Sequence, residues 1–258
     1  FFSAQSTMMP RRGWACAGIA AVALAVRQLA RWRSRRLRVA RLANHTKIDL
    51  LPSERGPVLC MSPAISTVTF FHGSAAAAEA HLRERVATIV DANPWLAAVL
   101  DNDPESGEMA AFYPAHAASR RELFEVREGV PLSREGVDAT AYKAMVRALT
   151  PVLCSTSDEA VGRGAPLFRV TLLPDASLPE RRFALVVSAN HSLLDGHGFY
   201  KVYNMLSTDG AVEALCPVRK QELPARMLEA TGGEPSLMAA CPPGFLARFV
   251  LGQLRAAL

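Results

Sequence analysis

His191 occupies the most constrained setting of any acid–base side chain in this sequence. With Asp195 and Gly196 it spells HxxxDG, between an apolar run with strand character and an amphipathic run with helical spacing. A strand end holds a side chain rigidly at the mouth of a sheet. That suits a general base, which must lie within hydrogen-bond reach of the proton it removes. Imidazole, with an ordinary pKa of about 6.5, is largely neutral near pH 7 and able to accept one. Bland roles are open to the same residues. A lone histidine is as readily a satisfied core residue, Asp195 is placed to cap the following helix, and Gly196 either admits a close approach or simply begins that helix. Ser192 is adjacent to the histidine but nothing singles it out. His197 has no Cys, Asp or Glu cluster at ligand spacing, so no metal site is expected. His45, His72, His81 and His116 are isolated and suggest surface or turn positions. No GxSxG, glycine-rich phosphate loop or paired-carboxylate arrangement is present.

The elements that must position His191 follow from periodicity and punctuation. Residues 66–71 predict a strand, ended by His72-Gly73. A helix capped by Ser74 follows, with Leu82, Val86, Ile89 and Val90 on one face, stopping at Asn93-Pro94. A second strand is expected over 95–100, closed by a polar turn over 101–107. After a short strand at 123–126, Asp138 caps a helix whose Tyr142, Met145, Val146 and Leu149 recur at i, i+3, i+4 and i+7 and are expected in the core. Two apolar strands, 167–173 and 183–190, form a hairpin that delivers His191. The helix after the motif carries Phe199, Val202, Tyr203 and Leu206 on one face. Strands and helices mix without a strict βαβ rhythm, which predicts an α/β fold of the α+β kind with a mixed sheet.

Length and charge bound the remainder. A chain of 258 residues, half of them apolar and 21% charged, buries a real core and makes one large domain or one and a half. Disordered, collagenous and long multidomain architectures are excluded. The net charge of +5 hides an asymmetry: residues 1–48 hold ten Lys or Arg and no acid, whereas the other 210 positions hold 19 basic and 24 acidic side chains, a net of −5. The leader carries thirteen apolar or small residues, 14–26, between Arg11-Arg12 and an arginine-rich run from Arg27 to Arg38. As a helix that run covers about 20 Å, short of the ~30 Å hydrocarbon core of a bilayer. Three readings stay open. It is a signal anchor or membrane-surface helix over residues 11–38 with a cytosolic body, an organelle transit or signal sequence, or a soluble basic arm. Without interleaved aromatics or a recognisable module, a nucleic-acid role is not expected. Five cysteines without a CxxC pair predict scattered, mostly buried thiols. The organisation expected is a basic leader over 1–48, a body over 49–207, and a proline-broken connecting region over 208–258. That region closes on a helix from 245 without a cap, as if the chain continued. The chain opens on Phe1, so its start is expected at Met8 or Met9 or it is a fragment.

The motif and its surroundings resemble the superfamily of CoA-dependent acyltransferases that includes chloramphenicol acetyltransferase, the condensation domains of nonribosomal peptide synthetases, the plant BAHD acyltransferases and bacterial wax ester synthases. Their mark is HHxxxDG after a strand, and VVSANHSLLDG at 186–196 is similar to it. APLFRVTLL at 165–173 looks like their "GPLLRxxLL" strand, and DANPWLAAVL at 91–100 like their "HPxLR" segment. The resemblance covers roughly residues 65–207. It implies a chloramphenicol acetyltransferase-like mixed sheet flanked by helices, and transfer of an acyl group to a small alcohol or amine. The co-substrate would be an acyl-CoA or acyl-carrier thioester, with no bound cofactor. By position, His191 would be the base, Asp195 would orient the motif through an ion pair with Arg169 as candidate partner, and Gly196 would keep a substrate tunnel open. The sequence departs from the pattern at Asn190, where the family's leading histidine stands, and at Leu96-Ala97, where it has Leu-Arg. Two-domain members carry a second half of similar size, and chloramphenicol acetyltransferase builds its site between subunits. A missing C-terminal subdomain or a homo-oligomer is therefore implied. The alternative is a noncatalytic, condensation-domain-like binding protein.

Overall fold

The computed structural model describes residues 12–116, 122–131, 138–233, 244–245, 247–248 and 251–252. The chain falls into two compact units, Phe1–Pro217 and Val218–Leu258. The second contributes one described helix of several residues, α7 below, begun by Pro224 and leaving Leu223, Met227 and Leu228 on its surface. Pro235, Pro242, Pro243 and most of the expected closing helix lie outside the described residues.

In chain order the elements are α1 (Arg12–Leu42), β1 (His45–Ile48), α2 (Pro57–Cys60), β2 (Ile65–His72), α3 (Ala75–Ala92), β3 (Val99–Asn102), β4 (Met109–Pro114), β5 (Phe124–Val126), α4 (Ala139–Leu149), α5 (Ser157–Ala160), β6 (Phe168–Pro174), β7 (Arg182–Ala189), α6 (Gly196–Asn204) and α7 (Leu223–Ala230). The expected hairpin is present: β6 and β7 are antiparallel, with Arg169 opposite Ser188 and Val170 opposite Val187. β2 lies antiparallel on the other side of β7, and β5 runs parallel to β6. The four-stranded sheet is therefore mixed, in the order β2-β7-β6-β5.

β7 is central and covered on both faces, which is why its sequence is a nearly continuous apolar run. Leu185, Val187 and Ala189 pack into the core beneath α3 and α6, while Ala184 and Val186 pack with Leu149, Val152 and Leu173 on the opposite face. α3 begins where expected, with the Ser74 hydroxyl accepting from the Ala77 amide at 3.4 Å, and it buries Leu82, Val86, Ile89 and Val90. Burying each such side chain is worth roughly 1.5–3 kcal/mol.

Several expectations are corrected. Residues 94–97 form a 3-10 turn, because Pro94 fixes the first φ, and the strand begins only at Val99. Asp101 and Asn102 belong to that strand, so the polar turn starts at Asp103. In α4, Leu149 is buried and Met145 packs beside it, but Tyr142 and Val146 lie exposed. The helix meets the sheet along a narrower stripe than its four apolar positions suggest. Of the three cysteines whose side chains are described, Cys154 is buried, Cys60 half-buried and Cys216 exposed.

The end of the basic leader enters a second sheet that the sequence did not announce, β1-β4-β3, all antiparallel. His45 stands in β1 and is partly buried, with burial first and then Arg41 holding its imidazole below the ordinary range. Leu42 is buried against Ala110 and Phe112. No helix among the described residues is long and apolar enough to cross a membrane. Instead, the apolar and basic halves of the leader form one continuous helix of 31 residues.

Candidate functional site

His191 is the second residue past the end of β7, half-buried in the tight turn that joins the central strand to α6. The turn closes on itself: the amides of Leu193 and Leu194 both donate to the Asn190 carbonyl, at 3.0 and 3.1 Å, and both leucines are buried. Among the described residues no hydrogen bond engages the His191 ring.

What fixes the backbone at His191 is the pair of residues beside it. Asn190 is 1% exposed, and both ends of its amide group are engaged. Oδ1 accepts from the Ser157 hydroxyl and from the Ser192 amide, each at 2.8 Å, and Nδ2 donates to the Ser155 carbonyl at 2.8 Å. Ser192 is fully buried; its hydroxyl lies 2.8 Å from that of Ser157 and donates to the Glu54 carbonyl at 2.9 Å. Three separate segments, at 54, 155–157 and 190–192, are thus tied behind the turn. A buried network satisfied in this way is rigid, because each bond lost leaves a desolvated partner.

Asp195 caps α6: with extended backbone (φ −84°, ψ 175°), its Oδ1 accepts from the Gly198 amide at 2.6 Å. The opposite end of α6 is capped by Arg85 from α3, whose Nε donates to the Met205 carbonyl at 2.7 Å and whose guanidinium also reaches the Gly210 carbonyl. Phe199 and Val202 are fully buried, and the Tyr203 hydroxyl meets that of Thr69 at 2.6 Å. Strand and helix are therefore both immobilised around the turn. Beyond α6, Asn93 holds the chain by accepting from the Leu215 amide at 2.8 Å and donating to the Glu213 carbonyl at 2.8 Å.

The structure brings Asn190, His191, Asp195 and Gly196 into one turn, but it does not bring Arg169 to Asp195. Arg169 donates to the Pro151 carbonyl at 3.1 Å and has its Nε 3.8 Å from Glu125 Oε1, while the Asp195 carboxylate is exposed and engaged by its own helix. A strand-pair position opposite Ser188 directs the guanidinium elsewhere. Gly196 is open: a methyl group there would meet nothing within 4 Å. The steric demand falls instead on Gly198, where a Cβ would lie 2.9 Å from Leu194 Cδ2 and 3.1 Å from Asp195 Oδ1. The repeat of glycine in Asp195-Gly196-His197-Gly198 was its only sequence signal. Ser157 had none, being 33 positions from Asn190.

Cys154 lies behind the same strand, donating from its amide to the Ser188 hydroxyl at 2.9 Å. Burial pushes its thiol up to about 11, against a smaller opposing pull from its contact with Ser188. It is thus no nucleophile at neutral pH. Among the described residues no group of three His, Cys, Asp or Glu is placed to hold a metal ion. A cavity of about 360 Å³ opens between α3, α6 and the starting end of β7, with Phe71 stacked on Phe183 at 5.1 Å in its wall; His191 does not line it.

No protein-family model and no curated protein sequence matches the chain. It is similar to several solved structures. One is TRI101 of Fusarium sporotrichioides, crystallised with coenzyme A and T-2, at 14% identity and a TM-score of 0.45 over 66% of this chain and 42% of that one. The trichothecene 15-O-acetyltransferase TRI3 of the same fungus gives 13% identity and a TM-score of 0.43 over 63% and 34%. The starter condensation domain of rhizomide synthetase RzmA gives 15% and 0.41 over 66% and 40%. The chain spans about two fifths of the length of such structures, or less. The α/β architecture with a mixed sheet flanked by helices stands on this chain's own strand order.

Proposed function

We propose that this chain carries the base-bearing half of a thioester-dependent acyltransferase, with His191 as the general base. The observation that supports this most is the setting of the imidazole. It is half-buried at the end of the central strand, free of hydrogen bonds among the described residues, and flanked by two side chains locked into a buried network. The backbone that carries the imidazole is fixed by this network, which lowers the ordering that proton transfer in a bound complex still requires.

In the proposed reaction an imidazole nitrogen takes the proton of the acceptor hydroxyl or amine as that atom attacks the carbonyl carbon of an acyl-CoA or acyl-carrier thioester. The tetrahedral intermediate collapses with cleavage of the C–S bond. The thiolate leaves with the proton returned by the imidazolium, giving ester or amide and free thiol. Asp195 stands outside the proton path and keeps the turn and helix aligned through Gly198. The remaining walls of the site would come from a second half of the protein or from a second copy.

The test is thiol release by the intact protein from acetyl-CoA, with a panel of small alcohols and amines. Replacing His191 by Ala is expected to lower the rate about 10²- to 10⁴-fold with the fold retained. Transfer unchanged in His191→Ala overturns the assignment. A wild-type protein that turns over nothing yet retains coenzyme A in equilibrium dialysis is the noncatalytic binder instead.

A further inference from the structure

Among the described side chains, those that tie α1 to the body lie at its C-terminal end. Arg38 Nε lies 3.0 Å from Asp101 Oδ1, Arg41 pairs with the other carboxylate oxygen, and Asp101 is 1% exposed in β3. Leu42 is buried just beyond. At 100° per residue, Arg38 and Arg41 point within about 60° of each other. Val26, Leu29, Trp32, Arg33, Arg36 and Leu37 fall in an arc of roughly 140° on the opposite side.

That outer arc is unusual for a water-facing surface. Val26, Leu29, Trp32 and Leu37 are all more than half exposed, with Leu29 at 66% and Trp32 at 54%. Arginines are interleaved with them, and the Arg36 guanidinium sits 4.3 Å over the Trp32 ring. No acidic residue occurs anywhere in the helix, and toward its start the same helix continues into the apolar run 14–26.

We propose that the outer face of α1 is a membrane-surface element that lies in the headgroup region of an anionic bilayer, with the body held beneath it through Asp101. Exposed leucine and tryptophan enter the acyl boundary, as in helices that lie along a membrane interface. Arg33 and Arg36 meet lipid phosphates and carboxylates, their stems lying along the apolar surface. A spanning orientation is disfavoured, since no window of the described helix is apolar enough to cross. The placement stands apart from the acyl-transfer reading and is tested without any turnover assay.

The experiment is flotation of the intact protein with vesicles of phosphatidylcholine alone or mixed with phosphatidylserine, alongside a duplex oligonucleotide in a binding assay. The expected result is strong preference for the anionic vesicles, weakened by salt. Replacing Arg33 and Arg36 by Ser should cost about fivefold per arginine on anionic vesicles. Replacing Leu29 and Trp32 by Ser should remove binding while leaving the circular dichroism and thermal midpoint nearly unchanged, since both side chains are more than half exposed. Equal binding to both vesicle types, no binding to either, or binding to the oligonucleotide in preference to vesicles overturns the proposal.

Discussion

Gly196 and Gly198 stand two residues apart at the start of α6 and respond oppositely to an added methyl group. At Gly196 a Cβ meets open space, so Gly196→Ala should be neutral or stabilising by up to about 1 kcal/mol, because alanine gives up less backbone freedom on folding. At Gly198 the same methyl group presses on the Asp195 carboxylate that caps the helix and on Leu194. Gly198→Ala should therefore cost roughly 1–2 kcal/mol, about the value of a lost cap plus mild overpacking. Urea midpoints of the two variants check the contrast, and a shared sign would refute it. Cys154 offers a second residue-level reading. With its thiol pushed up to about 11 by burial, it should resist iodoacetamide at pH 8 in the folded protein, while exposed Cys216 is alkylated. Mass spectrometry of the adducts before and after addition of denaturant distinguishes the two. What could be seen in sequence at this scale was the contiguous part of the site: His191, Asp195 as a cap, and the strand and helix on either side. Asn190 was visible as a departure from a pattern, but not as the hub that ties Ser155, Ser157 and Ser192 together, because hydrogen bonds between residues 33 positions apart leave no periodicity.

Element by element, the parts that were legible are those whose burial imposes a period. α3, β6, β7 and α6 each bury a face, and their apolar spacing follows; β2 is only partly buried along its length and was legible from its β-branched and aromatic content. The β1-β4-β3 sheet escaped because its strands are four to six residues long and carry Thr, Lys, Asp and Asn at positions that alternate poorly. Its turn is instead held by charge. Asp103 accepts from the Glu105 amide at 3.1 Å, from Ser106 at 3.0 Å and from Lys47 of β1 at 3.2 Å. Burial by itself pushes its carboxyl up, yet the amide, Lys47 and Ser106 together hold it below the ordinary carboxylate range. Lys47 is raised, first by Asp49 and then by Asp103. A depressed carboxylate contributes stability that is present above its unfolded pKa, about 3.9, and is lost as pH falls through the folded value. A raised lysine contributes stability present below about 10.4 and lost as pH rises through its folded value. The difference in urea midpoint between wild type and Lys47→Met should then be widest across the neutral range and close at both acid and alkaline ends. A difference that stays constant from acid to neutral pH would mean that the lysine acts only through its aliphatic stem.

Across the molecule, the feature that most changes the picture is how the basic leader joins the body. Charge counting separated +10 over residues 1–48 from −5 over the remainder, as though the two were independent, but Asp101 is one of those acids and sits buried under Arg38 and Arg41. Its Oδ1 also accepts from the Asn102 amide at 2.8 Å, which a neutral amide at position 101 would still allow. Removing the two arginines therefore differs in kind from removing the carboxylate. Arg38→Met with Arg41→Met strands a buried charge and should cost about 3–5 kcal/mol, whereas Asp101→Asn leaves hydrated or surface-reaching arginines and should cost about 1 kcal/mol. The triple variant should recover most of the loss, because the penalty belongs to the unpaired carboxylate and not to the missing guanidinium groups. Thermal or urea unfolding of the set measures this directly. If the arginine pair costs no more than Asp101→Asn, then the half-exposed Arg41 and its neighbour behave as solvated surface charges, worth little. The leader would then hang from the body by Leu42 and the β1 pairing alone.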